Sequence, residues 1–111
     1  MPPKTFLGEF EQMLLLAILQ TGDNAYGVEV RRELEQATGR TVSRGAFYTT
    51  LDRLETKGYL RWSSRPVAEG WRGGMPQRHF EVTEEGLVQL RRSREALDRL
   101  SQGLDEILVR P

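Results

Sequence analysis

The side chains with the clearest chemical potential are the arginines and hydroxyls in the middle of the chain. Residues 40–80 carry eight Lys or Arg side chains and three Asp or Glu side chains. The segments on either side are net acidic, so the 111-residue sequence has a formal net charge of zero. Guanidinium groups bind phosphates and can donate two hydrogen bonds to guanine. The pattern predicts one electropositive face suited to nucleic acid, with chance clustering of solvated arginines as the alternative.

Catalytic and metal-binding chemistry has few candidates in this sequence. His79 is the only histidine, and there is no cysteine. The carboxylate pairs Glu84-Glu85 and Asp105-Glu106 are adjacent on predicted helices, where neighbouring side chains point in different directions. The glycines within residues 66–76 do not precede a helix, so they do not form a phosphate-binding loop. We therefore expect no enzymatic activity, no cofactor and no metal site.

The elements that position the arginines are three predicted helices, over Leu7–Gln20, Ala25–Thr38 and Arg44–Lys57. Apolar residues recur in each at spacings of three and four, which is the period of one helical face. Ser43 is a suitable N-cap for the third helix, and Gly39 supplies the end of the second. The turn between them is therefore only a few residues long.

Two strands and a long helix follow the third helix. Alternating apolar and polar residues over 59–65 and 78–83 predict a β-hairpin, and the glycines and prolines of Pro66–Pro76 predict a long loop at its tip. Thr83 caps the last helix, which we expect to continue to about Val109.

This order predicts a mostly α protein with a small β-hairpin: a winged helix-turn-helix followed by a long C-terminal dimerisation helix. The first part spans residues 1–83 and the second spans 84–111, and together they form a single compact unit. In this fold the third helix enters the major groove of double-stranded DNA, while the hairpin lies along the phosphate backbone or reaches the minor groove. Tyr26 is equally compatible with a phosphate contact and with a core aromatic. The candidate DNA-binding residues are Tyr26, Ser43, Arg44, Tyr48, Thr49, Arg53, Arg65, Arg72, Gln77 and Arg78.

Leucines on the last helix are spaced for contact with a second copy of the chain. They form two series with a seven-residue period, and so small a domain cannot cover a helix of this length, so we expect a homodimer. A last helix folded back onto its own domain is the alternative. The first helix is apolar on most of its circumference, so its surplus residues either join the dimer or lie in a central core. The candidate dimerisation residues are Leu15, Leu16, Leu90, Leu97, Leu100, Leu104 and Ile107.

Three segments resemble the PadR family of transcriptional regulators. Ser43–Leu60 is similar to the family's recognition-helix segment, with its serine, glycine and tyrosine and its arginine-leucine-glutamate before a glycine. Ala25–Val30 resembles the tyrosine-glycine opening of the second helix, and Phe80–Gly86 resembles the strand that leads into the fourth. The C-terminal part consists of one helix only, which is similar to the arrangement in the family's smaller subclass. Residues 74–80 depart from the family pattern because they are less basic, which should weaken nonspecific attraction to phosphates.

The resemblance implies a bacterial, dimeric repressor that binds an inverted-repeat operator and, as in many members, releases it when a small molecule binds. A small apolar effector would then occupy a dimer groove lined by Leu14, Leu15 and the last helix. A winged helix that binds proteins and has lost DNA binding is the alternative function. The sequence has no secretory pattern and no apolar run of membrane length, so we expect a soluble cytoplasmic protein.

Overall fold

The computed structural model describes residues 6–66 and 76–109. The order of elements is three helices, an antiparallel two-stranded hairpin and a C-terminal helix that is followed by one short helical turn. This architecture confirms the predicted fold class. The elements are α1 (Glu9–Thr21), α2 (Gly27–Thr38), α3 (Arg44–Thr56), β1 (Leu60–Pro66), β2 (Pro76–Val82), α4 (Glu84–Ser101) and α5 (Asp105–Leu108), with a 3-10 turn at Gly22–Asn24.

The predicted helix caps are present. Ser43 Oγ accepts a hydrogen bond from the backbone N–H of Ala46 at 3.1 Å, which satisfies one of the free donors at the start of α3. Thr83 Oγ1 accepts from the N–H of Gly86 at 3.0 Å and also donates to the carbonyl of Gly58 at 2.7 Å. The second bond ties the start of α4 to the turn that follows α3.

The core lies where α1 crosses the other elements. Leu14 from α1, Val30 from α2, Phe47 from α3 and Phe80 from β2 are almost completely removed from solvent. Leu90 extends this core into α4. One core therefore supports both the helix-turn-helix and the base of the hairpin, and it holds α3 against the rest of the domain.

The hairpin is regular but extends further than the sequence predicts. Pro66 and Pro76, expected in the tip loop, face each other as the last pair of the ladder. His79 alternates with apolar residues along its strand, and yet it is only 4% exposed. The reason is a third segment at the outer edge of β2, where Tyr26 forms an antiparallel bridge with His79 and covers it. Arg72, predicted in the tip loop, lies outside the described residues.

The prediction of one continuous C-terminal helix to Val109 is wrong. Helix α4 ends at Ser101, and Gly103 follows with a φ of +79°, a left-handed conformation that favours glycine. The Ser101 hydroxyl donates to the carbonyl of Leu97 at 2.7 Å within the last turn. Leu104 therefore follows the break, and the seven-residue series does not form one straight seam.

Two of the predicted dimerisation residues are buried within their own protomer. Leu15 is fully buried on α1 and Leu90 is 4% exposed on α4. Leu16 is half-buried and packs beside the core. The central-core alternative therefore accounts for Leu15, and both buried leucines are unavailable to a partner in this conformation.

Candidate nucleic-acid interface

Helix α3 presents a broad exposed face opposite its buried stripe. Phe47, Leu51 and Leu54 are buried, whereas Arg44, Gly45, Thr49, Asp52 and Arg53 are exposed. At about 100° per residue, Thr49 and Asp52 lie near the middle of the exposed face, while Arg44 and Arg53 lie on opposite flanks, about 180° apart. The sequence named both arginines as candidate DNA-binding residues of the third helix, and the structure separates them by the width of its exposed face.

The Arg44 flank is organised by Tyr48. The Arg44 guanidinium carbon lies 5.4 Å from the centre of the Tyr48 ring, within the range of a cation–π contact. The half-buried Tyr48 ring also packs edge-on against Phe47. Its hydroxyl lies against the first residue of α2, since a Cβ built on Gly27 would be only 2.5 Å from Tyr48 Oη. The absence of a side chain at position 27 thus allows Tyr48 to rest between the two helices of the helix-turn-helix.

The Arg53 flank faces the start of α1. Lys57 Nζ lies 2.8 Å from Glu11 Oε2, and Glu11 Oε1 accepts a hydrogen bond from the N–H of Gly8 at 3.0 Å. Burial by itself would raise the pKa of Glu11, but the hydrogen bonds from Lys57 and Gly8 and the charges of Lys57 and Arg53 outweigh it, so the pKa is lowered. Arg53 therefore contributes to the field at Glu11 as well as to the exposed face.

The hairpin brings a further arginine beside α3. The Arg78 guanidinium carbon lies 4.5 Å from the centre of a Trp62 ring across the strand pair, and Arg78 Nη1 lies 3.8 Å from Asp52 Oδ1 of α3. Gln77 lines the same groove between α3 and β2. Arg65 is further along β1, with its Nη2 3.8 Å from Glu81 Oε1. The structure thus brings together Arg44, Tyr48, Gln77 and Arg78, and it places Arg65 and Arg53 at the periphery.

Tyr26 and His79 form the joint between hairpin and helices. Tyr26 immediately precedes α2, is half-buried, and meets the His79 ring edge-on with centroids 5.1 Å apart. His79 Nε2 is 3.1 Å from the carbonyl oxygen of Asp23, and since a carbonyl can only accept, Nε2 carries the proton. The N–H of Phe80 donates to the carbonyl of Ala25 at 2.8 Å. Sequence reasoning missed this role of His79; its only signal was a lone imidazole on a strand.

The exposed apolar side chains cluster on the C-terminal part of the chain. Leu97 and Leu100 on α4 are 55% and 77% exposed, and Ile107 on α5 is 78% exposed. Leu104, between the two helices, is 39% exposed. These four of the seven predicted dimerisation residues are accessible to a second molecule.

Leu14 and Leu15, which were expected to line a dimer groove for an effector, are both fully buried within the protomer. A cleft of about 700 Å³ with mixed apolar and polar walls lies between α1 and the turn that joins α2 to α3. Its apolar walls come from Phe10, Met13 and Val42, and Ser43 lies at its edge.

Other kinds of site find no support in the part of the chain that the structure describes. Residues 6–66 and 76–109 contain no group of three or more His, Cys, Asp or Glu side chains arranged to hold a metal ion. No helix within these two ranges has both the length and the apolar character needed to cross a membrane.

The sequence and the fold have clear relatives. The transcriptional regulator PadR-like family matches residues 15–92. A PadR-like transcriptional regulator from Bacillus cereus is 22% identical, with a TM-score of 0.72 and coverage of 92% of this chain and 93% of that one. A PadR family regulator from Clostridium difficile is 20% identical (TM-score 0.65, coverage 90% and 99%), and the winged-helix DNA-binding protein F93 from STIV is 17% identical (TM-score 0.66, coverage 89% and 98%). No curated protein matches the sequence.

Proposed function

Because the chain belongs to the PadR-like family of transcriptional regulators, we propose that it represses transcription by binding an inverted-repeat operator in double-stranded DNA as a homodimer. Membership in a family of regulators also confirms the prediction that the chain is not an enzyme. The observation that carries the proposal is the placement of Arg78 of the hairpin beside the exposed face of α3. Helix α3 and the hairpin line one shared groove.

In the proposed complex, α3 enters the major groove, which is about 12 Å wide and accepts one helix. Arg44, Tyr48 and Thr49 then meet base edges or the flanking phosphates, and Arg53 contacts the opposite wall of the groove. The hairpin follows the backbone with Arg65, Gln77 and Arg78, and the sequence predicts that Arg72 joins them. Ser43 and Tyr26 lie at the starts of α3 and α2, where backbone N–H groups favour a phosphate.

The dimer is proposed to form through the exposed leucines of the C-terminal part. Leu97 and Leu100 would otherwise leave a large apolar surface in water, and full burial of a leucine side chain stabilises by about 1.5–3 kcal/mol. In this arrangement residues 1–83 bind DNA and residues 84–111 hold the partner, although Leu90 joins both parts to one core. A two-fold dimer would present its α3 helices to half-sites about one duplex turn apart.

Binding to duplexes from the upstream region of the protein's own gene tests the DNA proposal. We expect the affinity to fall steeply with salt. A dimer whose eight exposed arginines at positions 44, 53, 65 and 78 all neutralise phosphates would have a log–log slope of about −7. Arg44→Ala should weaken binding about tenfold or more, whereas Arg91→Ala, an equal charge change at an exposed position of α4, should not. Absent or salt-independent binding to every duplex would favour the protein-interaction alternative.

Sedimentation mass tests the dimer proposal. Leu97→Asp should convert the dimer to a monomer, because it places a charge in the middle of the proposed interface. Val88→Asp is the matched control: Val88 is 49% exposed on the same helix, about 180° away from Leu97. If the Leu97→Asp variant still sediments with the mass of a dimer, the interface lies elsewhere.

The small apolar effector is proposed to enter the cleft between α1 and the α2–α3 turn. Its volume of about 700 Å³ falls within the range of ligand pockets, and its edge at Ser43 adjoins the start of α3. A screen of apolar compounds by melting temperature tests this site. Ala37→Trp, which fills the cleft, should abolish any stabilisation, and a shift that persists in this variant would rule the cleft out.

A further inference from the structure

Asp52 is an unexpected residue on a surface that is proposed to meet DNA. It lies near the middle of the exposed face of α3, where a carboxylate repels phosphates. Its partner across the groove is Arg78, with Nη1 and Oδ1 3.8 Å apart. The two side chains are 66% and 45% exposed, and an ion pair of this length and exposure contributes little to stability. Structural stabilisation therefore does not explain the carboxylate.

We propose that Asp52 determines base specificity by selecting cytosine, an inference that rests on the proposed DNA-binding function. The major-groove edges of base pairs present mostly acceptors, namely N7 and O6 of guanine, N7 of adenine and O4 of thymine. A carboxylate can only accept hydrogen bonds, so its possible partners are the amino groups of cytosine and adenine. Adenine N6 lies beside the N7 acceptor of the same base, which repels a carboxylate, whereas cytosine N4 has no such neighbour on its own base, so cytosine is favoured. Asp52 thus acts mainly by excluding other bases.

Arg78 offsets the negative charge of Asp52 in the free protein, and it can leave Asp52 when the protein binds DNA. Its guanidinium rests on Trp62, 4.5 Å from the ring centre, so it is held beside Asp52 without being buried. Because the ion pair is long and solvated, Arg78 can exchange Asp52 for a phosphate at small cost. Asp52 then loses its partner, and a cytosine amino group at this position can replace it without bringing a purine N7 acceptor beside the carboxylate. The exchange links phosphate contact by the hairpin to base selection by α3.

Selection of binding sites from a randomised duplex pool tests the proposal, with full-length wild type, Asp52→Asn and Asp52→Ala compared at one salt concentration. The wild-type consensus should contain one cytosine per half-site whose replacement weakens binding roughly 5- to 150-fold. Asp52→Asn should shift this position toward adenine, whose N6 and N7 suit an amide, and Asp52→Ala should lose the preference. Both variants should bind random duplex more tightly than wild type. Glu95→Gln, an equal charge change at an exposed position of α4, should neither alter the consensus nor tighten binding to random duplex.

Arg78→Gln separates base selection from a purely structural role of the pair. We expect it to weaken binding to all sequences alike and to reduce the salt slope by about 0.9 per protomer, with the consensus unchanged. If Asp52 served only to position Arg78, Arg78→Gln and Asp52→Asn would alter the consensus in the same way, which would overturn the proposal. An unchanged consensus in both Asp52 variants would overturn it as well. A wild-type protein that binds no duplex would overturn the proposed function itself.

Discussion

The close approach of Gly27 and Tyr48 leads to a prediction that separates DNA binding from stability. In Gly27→Ala the new methyl group would lie 2.5 Å from Tyr48 Oη, so the hydroxyl must move by about 0.9 Å to reach an ordinary contact of 3.4 Å. Forcing a side chain off its rotamer costs about 0.5–1.5 kcal/mol. Alanine is in turn up to about 1 kcal/mol more favourable than glycine in a helix. We therefore expect the free energy of unfolding to change by less than about 1 kcal/mol.

DNA binding should respond more strongly than stability, because the displaced Tyr48 ring carries Arg44 with it. A hydrogen bond to DNA that is broken in each protomer costs about 1 kcal/mol, and two such bonds per dimer amount to roughly 30-fold in affinity. Fluorescence anisotropy with an operator duplex measures the affinity, and urea unfolding measures the stability.

A double-mutant cycle tests whether Gly27 positions Tyr48. Tyr48→Phe removes the clashing oxygen, and the next ring atom, Cζ, is 3.6 Å from the Cβ position of an alanine at residue 27, an ordinary van der Waals distance. Gly27→Ala should therefore have little further effect in the Tyr48→Phe background, although it weakens binding in the wild type. If the two substitutions prove additive for both affinity and stability, Gly27 does not position Tyr48 and the reasoning is refuted.

Two other predictions concern the scaffold. Gly86→Ala should destabilise the protein by about 3 kcal/mol or more in urea unfolding, because its Cβ would overlap the carbonyl oxygen of Tyr59. Gly45→Ala is the control: its Cβ would meet open space, so it should stabilise the protein by up to about 1 kcal/mol. A Gly86→Ala variant as stable as wild type would contradict the close approach of Gly86 to Tyr59. The lowered pKa of Glu11 adds stability that is fully present above the ordinary pKa of a glutamate and is lost as the pH falls through the lower folded value. Lys57→Met should flatten this acid-side loss in unfolding measurements across the pH range, and an unaltered profile would mean that the Lys57–Glu11 pair does not contribute.

Most of the secondary structure was predictable because its signals are local. Ser43 and Thr83 satisfy N–H groups three residues away, and the apolar period of α1, α2 and α3 depends only on spacing along each helix. The break after Ser101 is local as well, and Gly103 was a readable signal for it. The leucine series was regular enough to outweigh that single glycine in the prediction.

The candidate site was predictable as a set of residues but not as an arrangement. The order of elements placed α3 and the hairpin side by side, which is how Arg44, Tyr48 and Arg78 could be named from the sequence. Helical spacing did not reveal that the charge of Arg53 acts on Glu11, since that depends on how α1 crosses α3. The pairing of Asp52 with Arg78 joins residues 26 positions apart, and no local pattern encodes it.

By itself, the sequence determined the order of the elements, their caps and the concentration of arginine between residues 40 and 80. Only the tertiary structure decided which side chains are covered: Leu15 and Leu90 lie in the protomer's own core, and His79 is enclosed by Tyr26. The physical reason is that capping and periodicity act within a few residues of one chain segment. Burial depends on which distant segment packs against the second face of a helix or strand.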